Sequence, residues 1–567
     1  MVKKSIKKWQ DYTFLDSTLK EELNKLDEKS LYDAFAKDIS FGTGGIRGIM
    51  GVGINRINIY TIRKATFGFA SYLKKHFVNR PYSLQNVVIS YDTRQNSYLF
   101  AKETARVLAS QNFHVYLFKE PRPTPQLSFA VRYLKAVGGI IITASHNPPN
   151  YNGYKVYDEN GCQLVPHKAD LVSEEINLIE DLFSIQVDDF ETYLRRGSIT
   201  ILEKYFDENY LTAVRFASVQ RVRKENFKIV YTPLHGTGNA FGESLLSGLG
   251  YDVYSVKEQM EPDHMFSTVT SPNPEDPKAF KLAVELAQKV KAQLILATDP
   301  DADRCGAAVL VKDEYYFLSG NEIAVLILDY LIKFATRIRE SVFISTIVTT
   351  DLVFKMAEEN NLEIIKTLTG FKFIGEQIEL IKKQRKDFFF GCEESFGYLV
   401  SDLVRDKDAF QACLIISELT AYYHEQNLTL IDVLKLIYEK YGYYQETLIN
   451  VNVSGVDGLN SLNHFMESLR KDKLVNLGDD QVLILEDYLK QIKIFDDGRI
   501  EKITLPPSDV LKYVFSNGWI VFRPSGTEPK LKVYLSSFNK TEQKAKLLLE
   551  KRVDAANKLL RKYNLIK

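Results

Sequence analysis

Three aspartates at alternate positions follow an apolar run near the middle of the chain. They are Asp299, Asp301 and Asp303, in the segment L-I-L-A-T-D-P-D-A-D-R. In an extended backbone alternate side chains point to the same side, so the three carboxylates are expected to converge. Carboxylates held together repel one another unless a cation lies between them, and oxygen ligands favour Mg²⁺ or another hard divalent ion. An EF-hand loop is excluded because its sixth position would be Arg304, and a solvated acidic turn is the remaining alternative.

A second candidate group surrounds Ser145, in the segment I-I-T-A-S-H-N-P-P-N-Y-N-G-Y-K. The serine follows an apolar run from Val137 to Ile142, so we expect it to be exposed at the end of a strand, where a loop can present it to a ligand. The hydrolase spacing G-x-S-x-G is absent, which argues against an acyl-enzyme serine. An ordinary serine in a turn is the alternative, and the other motifs of the chain argue against it.

Towards the C-terminus, the segment V-F-R-P-S-G-T-E-P-K-L-K has the composition of a phosphate-binding loop. Arg523 can bind a phosphate through two of its nitrogens, and Gly526 lets backbone N–H groups approach an anion closely. Ser525 and Thr527 add hydroxyl groups. The segment therefore predicts an anion site without naming its substrate.

The segment G-C-E-E-S-F-G-Y follows a further apolar run, Phe388–Phe390. In an extended conformation Glu393 and Ser395 would face the same way, and they could accept from and donate to neighbouring sugar hydroxyls. An acidic surface turn is an equally good interpretation of this segment taken alone.

Two shorter loops place a cation beside glycine or a hydroxyl group. F-G-T-G-G-I-R-G contains Arg47, and T-G-F-K contains Thr369 and Lys372. The first loop lacks the G-x-G-x-x-G order of a dinucleotide site. Each loop is therefore expected to supply a positive charge to an anionic ligand.

The elements that must position these groups alternate between strands and helices. The apolar runs Val87–Tyr91, Phe227–Tyr231 and Val342–Val348 precede D-T-R, T-P-L-H-G-T-G and T-T-D, and helical periodicity is found at Ala101–Ser110, Lys278–Val290 and Glu322–Ala335. This alternation predicts an α/β chain with largely parallel strand pairing, preceded by a helical lead-in around Leu19–Leu26.

The pattern changes at about residue 440. A helical region is followed by an irregular one with turns at Asp457–Gly458, Gly478–Asp480 and Asp496–Gly498, and then by a long helix from Thr541. We predict domains at 1–205, 206–312, 313–440 and 441–567, the last of them smaller and α+β.

The composition is ordinary for a soluble globular protein. The chain has 567 residues, 45% of them hydrophobic and 26% charged, with a net charge of zero. Balanced charge gives no argument for binding nucleic acid or an anionic membrane, and no uncharged run is long enough to span a bilayer. The four cysteines form no zinc or disulfide spacing, and no secretory signal is recognisable, so the expected location is the cytoplasm.

Taken together, T-A-S-H-N-P, D-P-D-A-D-R, G-C-E-E-S-F-G and R-P-S-G-T-E-P resemble the α-D-phosphohexomutase superfamily, in the family's own order and over roughly residues 40 to 540. The chain looks most like the phosphoglucomutase branch that includes phosphopentomutase-like members. The resemblance implies four domains around a central cleft: three similar mixed α/β domains and a smaller α+β C-terminal domain.

The resemblance also implies a role for each matching residue. Ser145 would be the phosphoserine, and its phosphoryl oxygen would bind Mg²⁺ together with Asp299, Asp301 and Asp303. Lys155 is the candidate general base and acid, assisted by His146. Sugar hydroxyls would contact Glu393 and Ser395, and the distal phosphate would contact Arg523, Ser525, Gly526 and Thr527. Further groups lining the cleft would be Arg47, Arg304, Thr369, Lys372 and Lys407, the last matched through R-D-K-D.

The implied reaction moves a phosphoryl group between C1 and C6 of a hexose phosphate, first of all glucose, through phosphoserine and a bisphosphate intermediate. A sugar 1,6-bisphosphate would be the activator. Mannose phosphate or pentose phosphate, release of a sugar bisphosphate, and a non-catalytic sugar-phosphate-binding protein stay open as alternatives. A phosphatase fits less well because a mutase must exclude water. The sequence does not indicate the oligomeric state.

One position departs from the family pattern. The first loop reads F-G-T-G-G-I-R where many members have F-G-T-S-G. Gly44 therefore lacks the hydroxyl of the usual serine, which puts one local contact in doubt.

Overall fold

The computed structural model of the protein describes residues 2–42, 44–81, 85–336, 340–453, 455–524 and 530–566. They form two compact units. The first comprises Met1–Ile323, Lys333–Ser341 and Phe371–Thr429, and the second comprises Ala324–Ile332, Val342–Gly370 and Leu430–Lys567. Of the helices within the described residues, none has both the length and the apolar character that a membrane crossing requires.

The N-terminal segment of the first unit is helical. Its helices are α1 (Val2–Asp11), α2 (Ser17–Lys25) and α3 (Glu28–Phe35). The helix predicted around Leu19–Leu26 corresponds to α2, the middle one of these three helices. Trp9 packs edge-on against the rings of Phe35, Tyr60 and Phe183, with centroid distances of 5.6, 5.5 and 5.3 Å. These contacts join the helices to the first α/β region.

The first sheet of this unit contains β1 (Gly45–Ile49), β2 (Asn86–Tyr91), β3 (His114–Phe118), β4 (Gly138–Ile142), β5 (Tyr151–Tyr157) and β6 (Ile199–Leu202). Its helices are α4 (Ile59–His76), α5 (Ser97–Ser110), α6 (Thr124–Tyr133), α7 (Pro166–Asn177) and α8 (Phe190–Arg195), with a 3₁₀ turn at Leu182–Ser184. The strand order is β1-β5-β4-β2-β3-β6. β2 and β4 are parallel neighbours, buried along their whole length, so the loops that follow them leave the sheet at the same edge.

The second sheet, also in the first unit, contains β7 (Lys228–Thr232), β8 (Asp252–Ser255), β9 (Leu294–Thr298), β10 (Cys305–Val311) and β11 (Glu314–Phe317). Its helices are α9 (Tyr205–Arg215), α10 (Gly242–Gly248), α11 (Lys257–Met260) and α12 (Lys281–Val290), with 3₁₀ turns at Thr237–Ala240 and Pro277–Phe280. β7 is parallel to β8 and β9, but β9, β10 and β11 pair antiparallel. Pairing is thus less parallel than predicted, because short connections reverse the chain after β9 and β10.

The third α/β region contributes to both units. Its elements are α13 (Gly320–Phe334), β12 (Ser341–Thr346), α14 (Asp351–Glu359), β13 (Glu363–Thr367), α15 (Phe371–Lys383), β14 (Asp387–Glu393), β15 (Gly397–Leu399), α16 (Ala409–His424) and α17 (Leu430–Tyr441). In the second unit β12 runs parallel to β13, and in the first unit β14 and β15 form an antiparallel hairpin.

The C-terminal region, in the second unit, is an antiparallel sheet with two long helices, α18 (Gly455–Asp472) and α19 (Glu542–Lys562). Its strands are β16 (Tyr443–Asn452), β17 (Asn476–Leu477), β18 (Asp480–Gln481), β19 (Ile484–Asp487), β20 (Ile492–Phe495), β21 (Ile500–Lys502), β22 (Leu511–Phe515), β23 (Gly518–Pro524) and β24 (Lys530–Asn539). The main sheet has the order β16-β24-β23-β22-β19-β20-β21, and β17 pairs only with β18.

The region predicted as irregular is therefore mostly strands, and the predicted turn at Asp457–Gly458 is wrong because both residues lie inside α18. Leu462, Phe465, Met466 and Leu469 recur at helical spacing and are buried in the C-terminal core, which outweighs the turn tendency of an Asp-Gly pair. The predicted fold class, three mixed α/β regions followed by an α+β region, is confirmed. The boundaries near 205, 312 and 440 stay predictions.

Candidate active site

Ser145 lies in the turn between β4 and β5, in the first unit. Its backbone has a φ of 51°, which is uncommon for a residue other than glycine and typical of functional turns. The backbone N–H of Ser145 donates to Oγ1 of Thr143 at 2.9 Å, which helps to hold that conformation. The prediction of an exposed serine is wrong, since only 4% of Ser145 is accessible. The loop after β9 covers it.

The Ser145 hydroxyl points at the aspartates. Its Oγ donates to Oδ2 of Asp299 at 2.6 Å and lies 3.2 Å from Nδ1 of His146. Two groups that the sequence analysis found independently, 154 positions apart, are thus in direct contact. A phosphoryl group carried on this oxygen would lie against the carboxylates.

Asp299, Asp301 and Asp303 converge as predicted, with one carboxylate oxygen from each lying within 4.8 Å of the others. The reason given for the convergence was wrong, because the segment is a turn and not an extended strand. The backbone N–H of Ala302 donates to the Asp299 carbonyl at 2.9 Å, and Ala302 has a φ of 47°. Oδ1 of Asp299 accepts from the backbone N–H groups of Asp303 and Arg304, both at 3.1 Å, which closes the turn.

These carboxylates fit a hard divalent cation. Oδ1 of Asp301 and Oδ1 of Asp303 are buried without a hydrogen-bond partner among the described residues, and orphaned buried oxygens of this kind are costly. Burial, together with the charges of Asp303 and Asp301, raises the pKa of Asp299 well above its ordinary value. A bound Mg²⁺ would remove both costs by accepting the unpaired oxygens as ligands.

Two lysines flank the aspartates. Nζ of Lys155, on β5, lies 2.8 Å from Oδ2 of Asp301 and 3.8 Å from Oδ2 of Asp303. Nζ of Lys407 lies 3.1 Å from Oδ2 of Asp303 and 3.2 Å from Oδ1 of Asp406. Burial opposes a charge on Lys407, but the carboxylates of Asp303, Asp406 and Glu393 outweigh burial and raise the pKa of Lys407.

The end of the aspartate turn is joined to the predicted sugar loop. The backbone N–H of Cys305 donates to the Phe396 carbonyl at 3.1 Å, and Arg304 forms an isolated bridge with Gly397. Glu393 is the last residue of β14 and is buried, but Ser395 lies in the turn that follows. The predicted strand-like alternation of Glu393 and Ser395 is therefore wrong, because the chain reverses there.

The first loop approaches the Ser145 turn. Nη1 of Arg47, on β1, donates to Oδ1 of Asn147 at 3.1 Å. Gly44 has a φ of 110°, and a Cβ there would lie 2.7 Å from the Leu164 carbonyl oxygen. A serine at this position would therefore require the loop or the Leu164 carbonyl to shift.

The remaining predicted residues are divided between the two units. Lys372, in the first turn of α15, is buried in the first unit, whereas Thr369 and Arg523 belong to the second unit. Arg523 lies on β23 and its Nη1 donates to the Tyr534 hydroxyl at 3.3 Å. Ser525, Gly526 and Thr527 lie outside the described residues. The roles of all these residues stay predictions.

Sequence reasoning missed three residues that hold the site. Thr124 donates to Oδ2 of Asp301 through Oγ1, at 2.9 Å. Glu275 forms an ion pair with Arg304, and Asp406 accepts from the Tyr157 hydroxyl while it faces Lys407. The segments R-P-T-P, P-N-P-E and R-D-K-D were the available signals, but none of them indicates by itself which partner its polar residue contacts.

Asp408, next to Lys407, caps α16 and is fully buried. It accepts from the backbone N–H groups of Phe410 and Gln411 and from the Tyr210 hydroxyl, at 2.9, 3.2 and 2.9 Å. Burial outweighs these donors and raises the pKa of Asp408 from 3.8 to about 6. The folded protein therefore binds the proton of the Asp408 carboxyl more tightly than the unfolded chain does. The stability that this proton contributes is lost as the pH rises through about 6.

Asp408→Asn removes this titration. Between about pH 4 and about pH 7 we expect the unaltered protein to lose about 3 kcal/mol of its free energy of unfolding, a loss that the variant does not share. The Tm of the variant should therefore rise relative to that of the unaltered protein over this range. Differential scanning calorimetry at closely spaced pH values measures the difference. A difference that stays constant over the whole window would show that Asp408 titrates near its ordinary pKa.

Four stretches of the chain match the domains of one family. Residues 38–182, 205–312 and 319–441 match "Phosphoglucomutase/phosphomannomutase, alpha/beta/alpha" domains I, II and III. Residues 468–555 match "Phosphoglucomutase/phosphomannomutase, C-terminal domain". The matches follow the order of the family's domains along the chain.

Individual relatives indicate the same family. The chain is 37% identical to the phosphoglucomutase of Staphylococcus saprophyticus over 528 residues, 92% of this chain and 94% of the relative. Its fold is similar to that of pp63/parafusin, a phosphoglucomutase from Paramecium, in the open form, with a TM-score of 0.68, 18% identity and coverage of 92% and 95%. It is also similar to Aspergillus fumigatus N-acetylphosphoglucosamine mutase in complex with GlcNAc-6P and magnesium, with a TM-score of 0.51, 14% identity and coverage of 98% and 99%. The 37% identity to the staphylococcal enzyme extends over 92% of the chain, and the four domain matches agree with it. The resemblance seen in the motifs is therefore confirmed, and the chain belongs to the phosphoglucomutase/phosphomannomutase family.

Proposed function

We propose that this protein interconverts glucose 1-phosphate and glucose 6-phosphate, and that Ser145 carries the transferred phosphoryl group. The observation that carries the proposal is the 2.6 Å contact between the Ser145 hydroxyl and Asp299, inside a cluster of buried carboxylates. Phosphoryl transfer requires mainly positioning and charge stabilisation. The contact positions Ser145, and the carboxylates would hold the cation that stabilises the charge. The 37% identity to a staphylococcal phosphoglucomutase supports glucose as the sugar.

In the proposed reaction the bond between Oγ of phospho-Ser145 and phosphorus breaks while a free sugar hydroxyl forms a bond to the same phosphorus. Lys155 takes the proton of that hydroxyl, and His146, whose Nδ1 lies 3.2 Å from Oγ of Ser145, gives a proton to the serine oxygen that leaves. The resulting bisphosphate reorients and its other phosphoryl group returns to Ser145. In that step His146 takes back the serine proton, and Lys155 gives its proton to the sugar oxygen that is released. The net reaction moves the phosphoryl group and leaves the enzyme phosphorylated.

Asp299, Asp301 and Asp303 would hold Mg²⁺ together with an oxygen of phospho-Ser145. When bound, the ion would supply a Lewis acid that withdraws charge from the phosphoryl group. The magnesium in the similar Aspergillus fumigatus structure supports this choice of ion. A sugar 1,6-bisphosphate is proposed as the activator, because it can restore the phosphate on Ser145.

The distal phosphate is proposed to bind Arg523 with Ser525, Gly526 and Thr527, and the sugar hydroxyls to contact Glu393 and Ser395. Arg47, Arg304, Thr369, Lys372 and Lys407 would supply the surrounding positive charge and hydroxyl groups. The cytoplasmic location predicted from the sequence stays a prediction.

The test is a coupled assay on the purified protein with glucose 1-phosphate, mannose 1-phosphate and ribose 1-phosphate, with Mg²⁺ and with or without glucose 1,6-bisphosphate. We expect kcat/KM for glucose 1-phosphate to exceed that for mannose 1-phosphate by about tenfold or more. Mass spectrometry after incubation with the bisphosphate is expected to find phosphate on Ser145. Sugar-phosphate binding without turnover would contradict the proposal in favour of a non-catalytic protein, and faster turnover of mannose phosphate would reassign the substrate.

A further inference from the structure

We propose that Arg94 is a positioning residue, and that the segment Asp92-Thr93-Arg94 sets the placement of Ser145 against the aspartate turn. The inference rests on the proposed function, in which these two groups act on one phosphoryl group. The segment follows β2 directly, at the edge of the sheet where the Ser145 turn follows β4.

Arg94 binds the Ser145 turn through its backbone carbonyls. Nη2 donates to the carbonyls of Ser145, at 2.6 Å, and of Asn147, and Nη1 donates to those of Pro148, at 2.8 Å, and of Tyr151, at 3.1 Å. These carbonyls span the turn from the candidate nucleophile to the first residue of β5. A planar guanidinium can serve all of them at once, whereas the point-like ammonium of lysine cannot.

Asp92 holds the guanidinium in place. Its Oδ2 lies 3.3 Å from Nε of Arg94, and both side chains are completely inaccessible. Oδ1 of Asp92 accepts from the Arg94 backbone N–H at 3.0 Å and from the Ser97 hydroxyl at 2.7 Å. A buried ion pair with these additional hydrogen bonds has little freedom to move, so the direction of the guanidinium is fixed.

Thr93 connects the same segment to the aspartate turn. Its Oγ1 donates to the His235 carbonyl at 2.9 Å. Two residues further on, Thr237 donates to the Pro300 carbonyl through its backbone N–H, at 2.8 Å, and through Oγ1, at 3.0 Å. Pro300 lies between Asp299 and Asp301 in the chain, so the contacts of Thr93 lead into the aspartate turn.

Arg94 itself also contacts the second α/β region, to which the aspartate turn belongs. The guanidinium of Arg94 lies over the Phe266 ring, 4.9 Å from its centroid. Phe266 has a φ of 53° and belongs to the segment between α11 and α12. Arg94 therefore touches the Ser145 turn on one side and the second α/β region on the other. Its loss is expected to change the distance between Ser145 and Asp299 without removing a reacting group.

The test compares Arg94→Lys with the unaltered protein. A misplacement of about 1 Å costs on the order of 10²-fold in rate, so we expect kcat to fall by about that factor while KM changes less than about threefold. Hydrogen–deuterium exchange is expected to be faster in peptides covering 143–153. Thr93→Val keeps the shape of the side chain and removes only the bond to His235, so we expect a smaller loss of kcat, about fivefold, again with KM unchanged.

Arg552→Lys is the matched control. Arg552 is equally inaccessible, pairs with Asp480 at 2.7 Å and donates to the carbonyls of Asn517 and Ser536 at 2.9 and 2.7 Å, in the C-terminal region. We expect its Tm to fall about as far as that of Arg94→Lys, with kcat unchanged.

The inference is overturned if Arg94→Lys and Thr93→Val keep kcat within about twofold of the unaltered protein, or if exchange at 143–153 does not change in Arg94→Lys. Absence of mutase activity in the unaltered protein would contradict the proposed function instead. In that case faster exchange at 143–153 in Arg94→Lys still supports the placement of the turn by Arg94, and unchanged exchange still contradicts it.

Discussion

Ser145→Ala is expected to lower kcat for the conversion of glucose 1-phosphate to glucose 6-phosphate by on the order of 10⁴-fold or more, the loss typical of removing a nucleophile. The variant has no oxygen to carry the phosphoryl group, and neither Asp299 nor His146 can replace it as a carrier that returns phosphate to the sugar. The coupled assay measures the loss. Mass spectrometry of the same samples, after incubation with glucose 1,6-bisphosphate, is expected to find no phosphate on the peptide that contains residue 145.

Ser417→Ala is a suitable control for the loss of a buried hydroxyl. Ser417 lies within α16 and donates to the Cys413 carbonyl of the same helix at 2.7 Å. We expect a cost of about 1 kcal/mol in stability and an unchanged kcat. Retention of mutase activity by Ser145→Ala, or phosphate on another residue of the unaltered protein, would contradict the mechanism.

Asp301→Asn is expected to weaken Mg²⁺ binding by at least about 10²-fold and to lower kcat in parallel, since even residues outside the coordination shell have effects of 10- to 100-fold. The amide keeps the shape of the carboxylate and an acceptor for Thr124, but it removes a negative charge from the cluster. It also deprives Lys155 of the carboxylate 2.8 Å away. Isothermal titration calorimetry measures the affinity independently of activity.

The same prediction has a readout in stability. A hundredfold excess of Mg²⁺ over its Kd is expected to stabilise the unaltered protein by about 2.7 kcal/mol, because the ion binds only the folded carboxylate cluster. Asp301→Asn should lose most of the resulting rise in Tm. Asp487→Asn replaces another buried aspartate, one that faces Arg470 in the C-terminal region, and should keep the full rise. An equal rise in both variants would show that Mg²⁺ binds elsewhere.

Much of the chemistry of the site is readable from the sequence, because it depends on residue types at short spacing. Ser145, the three aspartates and the flanking lysines each lie in a short segment whose composition is unusual for a plain turn. The fold class was readable for a related reason. Buried strands such as β2 and β4 are continuous apolar runs, and helices repeat their apolar residues at a different period.

The parts that the sequence analysis missed concern backbone conformation and contacts distant in sequence. Alternate spacing suggested an extended run for Asp299, Asp301 and Asp303, but their convergence depends on a turn with a positive φ at Ala302. The same error affected Glu393 and Ser395, where the chain reverses. Spacing reveals which side chains are near one another along the chain, and the dihedral angles decide which way they point.

Ser145 shows most clearly what the sequence alone does not reveal. Its sequence context indicated a hydroxyl in a functional turn and suggested an exposed one, yet the side chain is buried because Asp299, 154 positions later, lies 2.6 Å away. The hydrogen bonds from Arg94 to the carbonyls of that turn leave no trace in composition, since a backbone carbonyl is present at every residue. The sequence alone determined which groups are available for phosphoryl transfer. Only the tertiary structure decided their distances, because those depend on contacts between strands and loops that are far apart in the chain.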